Sequence, residues 1–208
     1  MPVAHPGHVV GGTTEERWFG AVNDLSRDTP WLHEAARLFA EYGVVLFGAL
    51  LLLSWWWARR GGDVRQVSAA LWAPLGVLIA VGVNQLLGAA VAEPRPYTAL
   101  PGVLVLVPRS TDYAFPSDHA VMAGAVAAGV WLAHRRLGLL ATSLALLMAA
   151  TRVYVGAHFP LDVVAGLVAG AVVAVISYLA VRPLLTRLIA GLAGTPARLL
   201  LTAAPRPR

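Results

Sequence analysis

Five long stretches of this chain contain no Asp, Glu, Lys or Arg, and they constrain its fold more than any other feature. They cover residues 42–58, 66–92, 119–134, 137–151 and 163–181. A helix needs about 20 mostly apolar residues to cross the hydrocarbon core of a bilayer. With flanking residues added, the sequence predicts an all-α integral membrane protein with about five transmembrane helices. Their predicted bounds are about 37–58, 67–92, 118–134, 137–155 and 160–182.

The composition agrees with a membrane protein and excludes several soluble classes. Charged residues are 13% of the 208 residues and hydrophobic residues 58%, whereas soluble domains carry roughly 25% charged residues. The net charge of +5 is better explained by arginine-rich cytoplasmic loops than by nucleic-acid binding. The chain has no Cys, which excludes a disulfide, a thiolate metal site and a Cys nucleophile.

The segments outside the predicted spans have distinct characters within one domain, 1–208. In 14–27, apolar residues recur at helical spacing among acidic ones, which is typical of an amphipathic helix on a membrane surface. These apolar residues are Trp18, Phe19, Val22 and Leu25. Residues 1–13 are predicted to be a disordered leader. Residues 184–208 are predicted to be a cytoplasmic tail with a second, weaker interfacial helix.

The arginines predict the orientation of the chain. Ten of them fall after the first, third and fifth predicted helices, and six fall on the opposite side. Because cytoplasmic loops are enriched in arginine, the first side is predicted to be cytoplasmic. The N-terminus is then outside and the C-terminus inside.

Three short polar segments remain, and the predicted topology brings all three to the outer face. They are Glu93-Pro94-Arg95, Pro116-Ser117-Asp118-His119, and Arg152 together with His158 and Asp162. Ionisable residues at membrane depth are costly and are functional candidates by default. Their convergence from separate parts of the chain predicts a functional site.

The residue types in these segments suit phosphoryl transfer. Arginine matches phosphate oxygens with paired hydrogen bonds, and the helix start after Ser117 offers backbone N–H groups to an anion. His158 and Asp162 are spaced so that the carboxylate can hold one ring nitrogen and leave the other free to attack. His119 is then a separate proton donor to the leaving oxygen.

The three segments resemble the signature motifs of the type 2 phosphatidic acid phosphatase (PAP2) superfamily. The matching patterns are Arg95-Pro96, Pro116-Ser117-Asp118-His119 and Arg152-x5-His158-x3-Asp162. The resemblance covers about residues 14–183 and implies a PAP2-type helical bundle. It implies that His158 attacks phosphorus, that Asp162 orients it and that His119 protonates the leaving group. It also implies a phosphate site formed by Arg95, Ser117, Asp118 and Arg152, with no metal or other cofactor.

Two positions depart from the family pattern. Gly88 stands seven residues before Arg95, where the family usually has Lys, and Arg109 is the candidate replacement for that cation. Asp118 stands where the family usually has Gly, and this version is similar to the bacterial undecaprenyl-diphosphatase branch associated with bacitracin resistance. Glu93 and Asp118 are also candidates for metal or proton handling.

The resemblance implies a bacterial plasma-membrane enzyme that converts undecaprenyl diphosphate to undecaprenyl phosphate for cell-wall carrier recycling. Phosphatidic acid and phosphatidylglycerol phosphate are the alternative substrates. His119, His158 and Asp162 could instead form a metal site for hydrolysis. A lipid-phosphate binder or a transporter is the alternative of a different class. The expected partners are a lipid phosphate and membrane lipid, and nothing in the sequence indicates a protein partner.

Overall fold

The computed structural model describes residues 12–61, 63–192, 195, 196 and 201, and its regular structure is helical throughout. The helices are α1 (Thr14–Asp28), α2 (His33–Tyr42), α3 (Val44–Gly61), α4 (Val64–Val91), α5 (Pro96–Ala99), α6 (Asp118–Ala133), α7 (Arg135–Tyr154) and α8 (Pro160–Leu192). A 3-10 turn, Pro30–Leu32, joins α1 to α2. Residues 1–11 of the predicted leader and most of the predicted tail after 192 lie outside the described residues.

The described part of the chain contains three or four apolar segments of membrane-spanning length. Val64–Ala99, Arg135–Tyr154 and Pro160–Leu192 qualify individually, and α2 with α3 qualifies as a bent pair. Helix α6 is apolar but only 16 residues long. The all-helical membrane class is confirmed, while the predicted count of five spans depends on α6.

The first predicted span is not a straight helix. Helices α2 and α3 meet at an angle of 52°, with Gly43 between them. A Cβ atom at Gly43 would overlap the Phe39 carbonyl oxygen of α2 and would lie 2.8 Å from Met148 Cε of α7. The bend therefore places a residue without a side chain close to the end of α2 and to α7.

Helix α6 is the centre of the bundle and packs on α4, α7 and most extensively on α8. Its buried residues are mostly Ala, Gly and Val, and small residues let helix backbones approach closely. A Cβ atom at Gly166 of α8 would lie 2.9 Å from the Ser117 carbonyl oxygen. This close packing sets the start of α8 beside the start of α6, where the Ser117 N–H donates to the Asp162 backbone oxygen at 3.1 Å.

Helix α1 packs against the loops at one end of the bundle. A capping box starts it, because Thr13 and Glu16 exchange backbone-to-side-chain hydrogen bonds. Phe19 is buried against Phe159, with ring centroids 5.4 Å apart. Trp18 and Leu25 are exposed, so α1 has an outward apolar surface as well as an inward contact.

The two ends of the bundle differ in composition. The site end is where α4 and α7 finish and α6 and α8 begin. The arginine end is where α3 finishes and where α6 meets α7. There the Arg59 guanidinium lies 5.1 Å from the Trp55 and Trp56 ring centroids, and that of Arg60 lies 4.6 Å from Trp56. These are cation–π distances.

Candidate active site

A cavity of about 250 Å³ opens at the site end and is lined by residues from all three predicted segments. The predicted site residues in its lining are Arg95, Asp118, His119, Arg152 and His158. The structure thus brings together side chains that are far apart in the sequence.

The turn that presents His158 depends on Gly156. This glycine has a φ of +77°, a conformation that side-chain-bearing residues rarely adopt. A Cβ atom there would also overlap the Leu104 carbonyl oxygen. The Ala157 N–H then donates to the Arg152 carbonyl oxygen at 3.1 Å. The turn after α7 is therefore tight, and it places Arg152 and His158 in the lining of the same cavity.

His158 is 1% exposed, and both ring nitrogens have neighbours. Nδ1 lies 2.8 Å from the Ala114 carbonyl oxygen and Nε2 lies 3.1 Å from Arg95 Nη1. Since a carbonyl only accepts, Nδ1 carries the proton and Nε2 keeps its lone pair. Burial lowers the pKa of His158 well below its ordinary 6.5, and the positive charges of Arg152 and Arg95 lower it further. His158 is therefore a neutral imidazole with a nucleophilic Nε2.

Asp162 lies beside His158 but is not its nearest partner. Its Oδ2 is 3.5 Å from His158 Nδ1 and accepts a hydrogen bond from the Phe159 N–H at 2.8 Å. The shorter contact of Nδ1 is with the Ala114 carbonyl. The sequence predicts that the Asp162 carboxylate holds one nitrogen of the His158 ring. In the structure, Nδ1 lies between the Ala114 carbonyl and this carboxylate, and nearer to the carbonyl.

Two buried arginines face the cavity. Arg95 donates from Nη1 to the Ala157 carbonyl at 3.1 Å and forms an ion pair with Asp112, with Nη2 and Oδ1 2.6 Å apart. Arg152 is 7% exposed, and among the described residues its Nε has no hydrogen-bond partner. The cavity therefore holds positive charge that protein groups only partly neutralise.

The start of α6 contributes the second predicted motif. Ser117 is the N-cap residue, but its side chain does not cap the helix, and within the described chain its buried Oγ has no partner. Asp118 Oδ1 accepts hydrogen bonds from Asn84 at 2.7 Å and from Gln85 at 2.9 Å. The Asp118 carboxylate thus ties α6 to α4.

Four predicted site residues are not among those that line the cavity: Ser117, Asp162, Arg109 and Glu93. The Arg109 guanidinium lies 5.4 Å from the centroid of the Tyr97 ring, and Tyr97 lines the cavity. The role of Arg109 as a replacement for the missing family Lys stays a prediction. Gly88 faces a neighbouring cavity of about 230 Å³.

Sequence reasoning missed Asp112 and Tyr97, both of which line the cavity. Asp112 sits in an irregular loop where neither periodicity nor spacing indicates which cation it meets. The metal alternative needs three converging ligands. In the described ranges no group of three His, Asp or Glu side chains could hold a metal ion.

The sequence matches the PAP2 superfamily over residues 69–185, and the protein belongs to this superfamily of helical membrane proteins. It is 28% identical over 155 residues to undecaprenyl-diphosphatase BcrC of Bacillus subtilis, covering 74% of this chain and 78% of the relative. It is 29% identical over 152 residues to the bacitracin transport permease protein BcrC of Bacillus licheniformis, covering 73% of each. The predicted family membership is confirmed.

Solved structures share the fold. The crystal structure of Aquifex aeolicus LpxE matches with a TM-score of 0.54 and 24% identity, over 81% of this chain and 97% of that one. A PAP2-type phosphatidylglycerolphosphate phosphatase from Bacillus subtilis matches with a TM-score of 0.58 and 19% identity, over 80% and 86%. Both similarities identify the helical architecture.

Proposed function

We propose that this protein is a membrane lipid phosphatase that hydrolyses undecaprenyl diphosphate to undecaprenyl phosphate and inorganic phosphate. The observation that carries the proposal is the environment of His158: a buried neutral imidazole whose Nε2 faces a cavity lined by Arg95 and Arg152. This arrangement suits attack on phosphorus with stabilisation of the developing negative charge. The name of the Bacillus subtilis relative, undecaprenyl-diphosphatase BcrC, supports the diphosphate substrate.

In the first step, His158 Nε2 forms a bond to the terminal phosphorus and the bond from phosphorus to the bridging oxygen breaks. His119 donates a proton to that oxygen, and undecaprenyl phosphate leaves. In the second step, water gives a proton to His119 and attacks phosphorus. The bond between phosphorus and Nε2 then breaks, and inorganic phosphate leaves.

The surrounding groups support these steps. The Ala114 carbonyl, at 2.8 Å from Nδ1, and Asp162, at 3.5 Å, stabilise the positive charge that the ring acquires on phosphorylation. Arg95 and Arg152 bind phosphoryl oxygens, as does the buried Ser117 hydroxyl. Asp118 acts through its backbone and through its link to α4, since its Oδ1 already accepts two hydrogen bonds.

The same proposal includes the placement of the chain in a bacterial plasma membrane. Five units cross it: the bent pair α2–α3, α4, α6, α7 and α8. Helix α6, with 16 residues, is about 24 Å long, and its position inside the bundle lets the neighbouring helices cover its ends. The tryptophans and arginines of the arginine end suit a cytoplasmic interface. The site end is then extracytoplasmic, with α1 on the membrane surface.

The decisive experiment measures phosphate release by detergent-purified protein from undecaprenyl diphosphate, phosphatidic acid and phosphatidylglycerol phosphate. We expect release from the diphosphate, and we expect His158→Ala to abolish it by about a thousandfold or more. His134→Ala, at the arginine end, is the matched control and should retain full activity. Release from a monophosphate lipid alone would replace the proposed substrate. Binding of the lipids without release would make the protein a binder.

A further inference from the structure

The guanidinium of Arg95 is almost fully occupied by protein groups. It has five N–H donors. Asp112 Oδ1 lies 2.9 Å from Nε and 2.6 Å from Nη2. Nη1 lies 3.1 Å from both the Ala157 carbonyl oxygen and His158 Nε2. Asp112 therefore occupies the Nε and Nη2 edge of Arg95, which a phosphate would need. Nη1, on the other edge, covers the lone pair of His158 Nε2.

Asp112 is held less firmly than the other charged groups of the site. Its side chain is 54% exposed, whereas that of Arg95 is 8% exposed. The backbone near it is anchored, because Tyr97 Oη accepts from the Ser110 N–H at 2.9 Å and donates to the Ser110 carbonyl at 3.0 Å. The carboxylate is thus an exposed group on an anchored loop.

The structure also leaves room for this carboxylate to move. Asp112 lines the cavity that contains His158 and also the neighbouring cavity of about 230 Å³. Gly88 borders the second cavity and leaves it without a side chain at that position. Asp112 therefore borders open space on the side away from Arg95, into which its carboxylate can turn.

We propose that Asp112 is a displaceable counter-ion, which pairs with Arg95 and gives way to the substrate phosphate. This inference rests on the proposed phosphatase function. When phosphate arrives, Arg95 exchanges a carboxylate for phosphoryl oxygens and uncovers His158 Nε2. When the reaction ends, the return of Asp112 to Arg95 favours release of inorganic phosphate. Asp112 is thus a residue that sets phosphate affinity, and it takes no part in bond breaking.

The test measures binding of inorganic phosphate to the full chain in detergent, by isothermal titration. Asp112→Asn removes the negative charge and keeps the shape, so we expect its Kd for phosphate to fall about tenfold, the size of a lost charged hydrogen bond. Asp28→Asn makes the same change at the exposed end of α1 and should bind phosphate like the wild type. Equal affinity in Asp112→Asn and wild type would overturn the proposal.

Weaker binding by Asp112→Asn would also overturn it, because Asp112 would then position Arg95 for phosphate. Two further variants keep the test independent of any folding defect. Tyr97→Phe removes the hydroxyl that anchors the loop carrying Asp112. It should strengthen phosphate binding, as Asp112→Asn does, but by a smaller factor. In an Arg95→Gln background, Asp112→Asn should have no effect on phosphate affinity. An effect of equal size there would contradict competition for Arg95.

The titration also separates this inference from the proposed function. It needs no turnover, so wild-type protein that releases no phosphate from any lipid would refute the phosphatase alone. In that event the phosphate affinities of the variants still decide whether Asp112 competes for Arg95.

Discussion

Both ends of the bundle carry arginines, but they hold them in opposite ways. At the arginine end Arg59 and Arg60 lie over tryptophan rings, and Arg60 faces outward. At the site end Arg95 and Arg152 are only 8% and 7% exposed. Burying a charge is costly unless it is well paired. The first arrangement suits anchoring at an interface, and the second suits binding of an anion.

Unpartnered polar atoms sharpen this contrast. In the part of the chain that the structure describes, six buried side-chain atoms have no hydrogen-bond partner. Four of them lie at the site end: Asn84 Oδ1, Ser117 Oγ, Arg152 Nε and Asp162 Oδ1. Since buried polar groups are normally paired, this concentration indicates a region shaped for a ligand or for water.

Among the changes that compare the two ends, the largest expected effect is the loss of activity on removing the buried charge of Arg152, whose Nε has no partner among the described residues. Arg152→Gln should lower kcat/KM for lipid phosphate by about a hundredfold or more, because it removes a cation that stabilises the transition state. Its thermal stability in detergent should not fall, since the charge is buried without full pairing. Arg136→Gln at the arginine end is the control. Equal losses of activity in the two variants would contradict the functional distinction between the ends.

A smaller effect is expected on stability in acid, and it is specific to the site end. The pKa of His158 is lowered in the folded protein, so the unfolded chain takes up this proton first as the pH falls. Stability should therefore decrease below pH 6.5, the ordinary value for histidine, by up to about 1.4 kcal/mol per pH unit until the folded value is reached. Thermal unfolding between pH 7.5 and 5.5 measures this slope.

His158→Gln cannot take up that proton, so its melting temperature should depend less steeply on pH than that of the wild type. Other titrating groups act in both proteins and cancel in the comparison. Parallel slopes would show that His158 is not buried as a neutral ring.

The smallest expected effect is at the arginine end. Arg59→Gln together with Arg60→Gln removes exposed cation–π contacts, each worth about 0.5–1 kcal/mol. We expect a slight decrease in thermal stability and unchanged phosphate release in detergent. Substantial loss of release would mean that the arginine end takes part in the reaction and that the comparison of the two ends fails.

The class of the protein could be predicted from its sequence because the relevant signals are local. Stretches without charged residues indicate membrane helices, and this signal can be read without knowing what each helix packs against. The strict spacing from Arg152 to His158 and Asp162, together with the two motifs before it, carried the resemblance to the family. Successive membrane helices alternate in direction. This alternation alone predicts that these residues and Arg95 lie at the same end of the bundle, around one cavity.

The rest of the site depends on the loop of residues 100–117, which carries no periodic signal. Its path decides that Asp112 meets Arg95 and that the Ala114 carbonyl meets His158. The position of a backbone carbonyl cannot be read from the type of residue that carries it. An acidic residue in a loop could pair with any nearby cation. Arg109 illustrates the same limit, because its position beside the Tyr97 ring could not be predicted from the sequence. The bend at Gly43 likewise could not be predicted, because the close approach of Phe39 and Met148 to this residue arises only in the folded chain.

The contact between α1 and the start of α8 has a consequence for the order in which the molecule is built. Glu15 accepts a hydrogen bond from the Leu161 N–H, across 146 residues of chain. During synthesis α1 is made first, and the backbone that it holds is made only when the last helix begins. The contact of α1 with α8 therefore forms last, after the contacts of α1 and its C-cap with the loop at Gly102 and Leu104 and with Tyr154 at the end of α7. This end of the molecule closes in stages, and the backbone just after His158 joins it only in the final one.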